Sequence, residues 1–137
     1  MLRHATASDA PGIRGLMKTV PGFWQPWWPD KTIDQAIRSA EGLAFVWEVD
    51  HQILGFVCAH DLGFRAYLSE LVVDAGARHQ GIGTRLVLAV EEALRDRGQA
   101  ILIADVWRDA EPFYRSLGWE PPDATLLRRR LESHCAH

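Results

Sequence analysis

The sequence predicts a mixed α/β (α+β) fold: a central mixed β-sheet flanked by about four helices, in the order β-α-α-β-β-β-α-β-α-β. Three observations carry this. Three β-rich runs follow one another between Leu43 and Val73, separated only by short turns. A loop with two glycines, 78–83, then joins the apolar Leu71-Val72-Val73 to a segment of helical spacing. Another apolar run, Ala100 to Val106, follows that helix, as a strand reached by a crossover and parallel to the one before it would do.

Leu2 to Ala5 suits a short first strand. Ser8-Asp9 offers an N-cap, Pro11 falls in the first turn, and Ile13, Leu16 and Met17 form the apolar stripe of a helix ended by Pro21-Gly22. The aromatic loop Phe23-Trp24-Gln25-Pro26-Trp27-Trp28-Pro29 follows. Asp30 or Thr32 caps a second helix through Ala40, with Ile33, Ala36 and Ile37 inward and Gly42 as its stop. Leu43 to Val49 and Ile53 to Ala59 read as a hairpin about Asp50-His51-Gln52, and Asp61-Leu62-Gly63 turns into a third strand, Ala66 to Val73.

From Gly81 to Arg97 the apolar positions Ile82, Leu86, Val87, Val90, Ala93 and Leu94 keep helical spacing, and Gly98 is the stop. Glu111-Pro112 opens a short helix through Leu117, ended by Gly118. Leu126 to Leu131 is expected to form a last strand, and the tail from Glu132 to His137 to fray.

The chain of 137 residues is one domain's worth. Its 47% apolar and 24% charged residues are ordinary for a soluble globular protein. A net charge of −3 argues against a general nucleic-acid binder. No apolar run approaches the roughly 20 residues of a membrane span, and the N-terminus has no hydrophobic signal region. Cys58 and Cys135 have neither metal-ligand spacing nor disulfide density, so no metal is expected and the chain reads as cytoplasmic. Oligomeric state is not legible, and a homodimer is allowed.

The loop Arg78-His79-Gln80-Gly81-Ile82-Gly83 is the most informative stretch. A strand–loop–helix of this kind aims several backbone N–H groups one way and adds the positive end of a helix dipole. The ligand that fits is an anion, most economically a phosphate or pyrophosphate. A P-loop would end Gly-Lys-Ser/Thr, whereas Gly83-Thr84-Arg85 stands here. A dinucleotide fingerprint needs a third glycine where Leu86 sits.

Arg78-x-x-Gly81-x-Gly83 resembles the Arg/Gln-x-x-Gly-x-Gly/Ala loop of the GCN5-related N-acetyltransferases (GNAT superfamily), which cradles the pyrophosphate of coenzyme A. Ala110-Glu111-Pro112-Phe113-Tyr114-Arg115-Ser116-Leu117-Gly118-Trp119 is similar to that family's Ala-x-x-Phe-Tyr-x-x-Leu-Gly-Phe, with Trp for the last Phe. The element order fits as well, so residues 1–137 resemble a single GNAT domain.

The resemblance implies acetyl-CoA as cofactor. It assigns Arg78, His79, Gln80, Gly81, Gly83 and Thr84 to the pyrophosphate, and Val72 and Val73 to backbone pairing with the pantetheine arm. It puts Tyr114 near the cofactor sulfur. Trp107 stands where family members often carry an Asn, so that contact is not carried over.

An amine that attacks a thioester must first lose a proton, since a free ammonium has a pKa of about 10.4. The leaving thiolate needs a proton, and a tyrosine of pKa about 10 can donate one with a modest uphill step. The tetrahedral intermediate needs an N–H donor, for which the Val72–Val73 backbone is the candidate. Glu70 is the candidate base: the resemblance favours an acid there, and alternation puts Leu68, Glu70 and Val72 on one face. The plain alternative is a carboxylate salt-bridged at the sheet edge. His60 and Asp61 are the runners-up.

The three tryptophans Trp24, Trp27 and Trp28 either wall an apolar or cationic acceptor or pack onto a small core. The expected activity is acetyl transfer to a primary amine of a small molecule or peptide, by direct attack. The alternative is a non-catalytic acyl-CoA-binding regulatory module. A third idea, a toxin that acetylates aminoacyl-tRNA, has little in the sequence for or against it.

Overall fold

The computed structural model describes residues 1–131, and the tail from Glu132 lies outside them. The chain forms two compact units, Met1–Ala104 and Asp105 onward. In the first, strands β1 (Leu2–His4), β2 (Ala44–Val49), β3 (Gln52–Asp61), β4 (Ala66–Val73) and β5 (Leu102–Ile103) form one sheet in sequence order. Neighbours are antiparallel except β4 and β5, which run parallel. The helices of this unit are α1 (Ala10–Lys18), α2 (Thr32–Ala40) and α3 (Ile82–Asp96).

The boundaries follow local chemistry. Asp9 is the N-cap residue of α1, but its side chain makes no cap bond; it accepts from the Thr6 backbone N–H at 2.8 Å, within a 3₁₀ turn that precedes the helix. No side chain caps α2, whose N-cap is Lys31 rather than Asp30 or Thr32. The β2–β3 turn uses Asp50 and His51, both at positive φ, in the primed geometry that suits right-twisted strands. Helix α3 ends where expected: Gly98 is left-handed, Gly98 N–H donates to Arg95 and Gln99 N–H to Leu94.

Helices α1 and α2 cover one face of the sheet, and α3 covers the other. On the first face Cys58 Sγ lies 3.7 Å from the Ala36 carbonyl oxygen of α2. On the second, a Cβ at Gly55 would stand 2.9 Å from both Ile82 and Leu86. The missing side chain lets the first turn of α3 lie against β3, which fixes the start of that helix over the sheet. Ile82, Leu86, Val87, Val90 and Leu94 are its buried stripe.

The register of β4 departs from simple alternation. Glu70 pairs with Cys58 and Leu68 with Ala59, so Ser69 is one residue too many and forms a β-bulge. Residues directly opposite in an antiparallel ladder share a face. Glu70 and Val72 therefore lie with Cys58 and Phe56 on the α1/α2 face, whereas Leu68 lies with Ala59 on the α3 face. The expected grouping of Leu68 with Glu70 fails because the bulge resets the period.

The second unit contains α4 (Glu111–Ser116). Tyr114 is 7% exposed, edge-on to Phe113 and Trp119 with ring centroids 5.2 Å away in each case. Residues Leu126 to Leu131 form no strand and are exposed. Two leucines followed by three arginines have no period-2 apolar face, so this segment offers a sheet nothing to bury.

Candidate functional site

Strand β5 pairs with β4 only at Ala66 and Tyr67. From Leu68 to Val73 the edge of β4 that faces away from β3 carries no strand among the described residues. Val72 and Val73 end this open stretch. Asp74 follows and accepts from Gly76 N–H at 2.8 Å, which starts a 3₁₀ turn.

The glycine loop comes next. Arg78, His79, Gln80 and Gly81 are all exposed, and Gly83 and Thr84 half-buried. Arg85 N–H donates to Gly81 C=O at 3.0 Å, closing the first turn of α3. The N–H groups of Gly81, Ile82, Gly83 and Thr84 precede that bond and have no acceptor within the helix. Gly81 is the N-cap at φ +79°, a left-handed conformation suited to glycine, and a Cβ there would meet nothing within 4 Å. His79 is also left-handed, at φ +66°. Arg78 and Arg85 add positive charge; Arg85 lies 5.6 Å from the Trp47 ring centroid. Open space, grouped donors and two arginines fit a pyrophosphate, and the open β4 edge fits an extended arm beside it.

On the α1/α2 face, Glu70 is half-buried opposite Cys58. Burial first, then the Glu70 charge, push the Cys58 thiol up to about 12, against an opposing hydrogen bond from Ser69. That thiol stays protonated at neutral pH and is no nucleophile. His60 is held between two hydroxyls: Nδ1 is 3.2 Å from Ser39 Oγ of α2, and Nε2 is 3.2 Å from Ser69 Oγ. Asp61 accepts from Gly63 N–H and from Gln99 Nε2, which hold its carboxyl below its ordinary range in that order. A turn residue with a depressed pKa is a weak base, so of the two runners-up His60 is the better placed.

In the aromatic loop, Trp24 is already engaged. Arg14 lies 5.0 Å and Lys18 5.8 Å from its ring centroid, and Trp28 meets it edge-on at 5.1 Å. Arg14 also pairs with Asp30 at 2.8 Å. Trp27 is 56% exposed and Trp28 half-buried. Tyr114 belongs to the second unit. Two residues of the site escape sequence reasoning. Gly55, a glycine inside a strand, carried a readable signal of close backbone approach. Ser69 did not, since nothing in Tyr67-Leu68-Ser69-Glu70 marks a bulge.

An open parallel-strand edge beside an anion-ready helix start defines a coenzyme-binding α+β protein. Residues 13–119 match the model of the acetyltransferase (GNAT) family, and the chain belongs to that family. The match runs across both units. No curated protein matches the chain significantly in sequence.

Several solved structures share the fold. A transcriptional regulator from Bacillus halodurans is 21% identical over 95% of this chain and 99% of its own, with a TM-score of 0.76. The PaiA N-acetyltransferase from Thermoplasma acidophilum, solved with coenzyme A, is 17% identical over 91% of this chain and 92% of its own, with a TM-score of 0.78. The ribosomal-protein-S18-alanine N-acetyltransferase from Escherichia coli is 23% identical over 86% of this chain and 76% of its own, with a TM-score of 0.75. The family's cofactor is acetyl-coenzyme A. No helix among the described residues is long and apolar enough to cross a membrane.

Proposed function

We propose that the protein is an acetyl-CoA-dependent N-acetyltransferase that moves an acetyl group to a primary amine of a small molecule or peptide, by direct attack on the thioester. The observation that carries this is the conjunction of an anion-ready α3 start, an open β4 edge and a carboxylate, Glu70, on that same strand. Bound acetyl-CoA supplies the activated acetyl group and a thiolate leaving group. Arg78, His79, Gln80, Gly81, Gly83 and Thr84 hold the pyrophosphate, and the Val72–Val73 backbone aligns the arm. Glu70 draws in the ammonium and takes its proton, directly or through water. Tyr114 protonates the leaving sulfur. Trp27 and Trp28, with Trp24 behind them, wall the acceptor. In this reading the protein works in the cytoplasm as one domain, with no nucleic acid or membrane.

The test is thiol release from acetyl-CoA over a panel of amines, beside calorimetric binding of coenzyme A. Amine-dependent release supports the enzyme. Tight coenzyme binding with no release over the panel would favour the regulatory acyl-CoA-binding module.

A further inference from the structure

The proton count of the proposed reaction leaves a remainder. An ammonium enters with three N–H bonds, the amide product keeps one, and the thiol takes one proton. One proton per turnover has to leave the α1/α2 face, where Glu70 lies.

We propose that Ser69, His60 and Ser39 form a relay that carries this proton from Glu70 to water; the proposal rests on the acetyltransferase reading above. The three residues span from the β4 bulge to the exposed surface of α2. Ser69 is the bulged residue at the register break that brings Glu70 opposite Cys58, and its Oγ lies 3.2 Å from His60 Nε2. His60 Nδ1 lies 3.2 Å from Ser39 Oγ, and Ser39 is exposed.

The feature that makes this a relay is a second acceptor at each hydroxyl. Ser39 Oγ is 3.2 Å from the Ala36 carbonyl oxygen, and Ser69 Oγ is 3.3 Å from the Cys58 carbonyl oxygen. Each hydroxyl can donate to the imidazole or turn away to a carbonyl and accept from it. Both neutral tautomers and the imidazolium of His60 are thus fully hydrogen-bonded: two O–H rotations re-aim the hydroxyls, and the imidazolium is the state through which the ring proton changes nitrogen.

Transfer follows directly. With Nδ1 protonated, Ser69 donates to Nε2. A proton passed from Glu70 to Ser69 Oγ, directly or through one water, displaces the Ser69 proton onto Nε2. The imidazolium releases its Nδ1 proton to Ser39, which gives its own to solvent. Only O–H and N–H bonds form and break; His60 is left as the Nε2–H tautomer, and exchange with water while the acceptor site is empty, Nδ1 taking a proton through Ser39 and Nε2 giving one up, restores Nδ1–H for the next turnover. Beside the relay, Cys58 stays protonated with its Sγ 3.6 Å from His60 Nε2, and Tyr67 stands opposite His60; on α2 Asp34 and Arg38 pair with each other, and farther along this face Arg3 holds Asp9 and Glu48.

Two measurements test it. Nitrogen-15 NMR of the His60 imidazole in the protein alone reads the tautomer. Ser39→Ala should move the population toward the Nε2–H form, and Ser69→Ala toward the Nδ1–H form. One unchanged tautomer in wild type and both variants overturns the relay. In turnover, His60→Gln and Ser39→Ala should lower kcat by roughly 10- to 100-fold and be rescued by added imidazole, with the KM for acetyl-CoA unchanged. Unchanged kcat in both variants overturns the relay too. A wild-type protein that binds coenzyme A and acetylates no amine overturns the acetyltransferase reading instead, and the NMR arm then still decides the relay.

Discussion

Glu70 stands directly opposite Cys58 across β4 and β3, and the pairing exists because Ser69 is bulged out beside it. A regular strand would keep Glu70 in step with Leu68; the bulge parts them. It sets Ser69 against His60 and leaves Glu70 on the face that α1 and α2 cover.

Coenzyme A binding should depend on Gly81 more than stability does. A valine there meets no neighbouring atom, so the cost is left-handed strain, on the order of 1–2 kcal/mol or more for a β-branched residue. Relief of that strain turns the loop amides away from the ligand. Gly81→Val should fold, with a melting temperature a few degrees lower and calorimetric affinity for coenzyme A at least about tenfold weaker. Unchanged affinity in a folded variant would remove the pyrophosphate from this loop.

Tyr114→Phe keeps the ring that packs edge-on to Phe113 and Trp119 and removes only the hydroxyl. The variant should fold and bind coenzyme A as wild type does. Its kcat should fall roughly 10- to 10⁴-fold, the scale of general acid catalysis. Wild-type turnover would reduce Tyr114 to a packing residue.

Acid should weaken the N-terminal strand's anchorage. Arg3 meets Asp9 at 2.8 Å and Glu48 at 2.9 Å, tying β1 to the first turn and to β2. The Arg3 hydrogen bond, before the Thr6 contacts, holds the Asp9 carboxyl below its ordinary 3.8. A depressed acid adds stability that is complete above its unfolded pKa and lost as pH falls through the lower, folded value. Asp9→Asn should therefore lower the melting temperature at about pH 7, and the gap from wild type should close in acid, once the pH has fallen through the lowered Asp9 pKa. An equal gap at both would mean packing, not charge, is what Asp9 contributes.

The strands and helices that set the coenzyme cradle were legible because their signals are local. The Ala66–Val73 strand has the bounds its composition predicts, and Gly81 and Gly98 mark the two ends of α3 as glycines should. The bulge at Ser69 was not legible, since register is a relation between two strands and no residue in β4 announces it. The expected Leu126–Leu131 strand is absent, because the segment has no alternating apolar face to bury. The sequence leaves Trp24 between walling an acceptor and packing, and only the structure brings Arg14 and Lys18 of α1 onto its ring.

That engagement separates the tryptophans. Trp24→Ala should cost stability, because two cation–π contacts of about 0.5–1 kcal/mol each and the edge contact with Trp28 go with it. Trp27, more than half exposed, should matter to the acceptor instead. Trp27→Ala should raise the acceptor KM by roughly 2- to 10-fold with the KM for acetyl-CoA unchanged. A raised KM for acetyl-CoA would move Trp27 to the cofactor's side.

Glu70→Gln tests the base itself. Glutamine keeps the shape and loses the charge, so the β3–β4 ladder and the bulge should persist. A carboxylate that takes the amine proton works only when ionised, which gives kcat/KM an acidic limb. The variant should lose that limb and roughly 10²-fold or more in kcat, with the coenzyme affinity unaltered. The Cys58 thiol should also ionise more readily, since the Glu70 charge is one of the influences that raise it. That second effect is read by thiol titration and needs no acceptor, so it reports the Glu70–Cys58 relationship independently of turnover. If Glu70→Gln is kinetically silent while His60→Gln abolishes the acidic limb, the amine's proton goes to His60 directly and Glu70 is left as a bystander at the bulge.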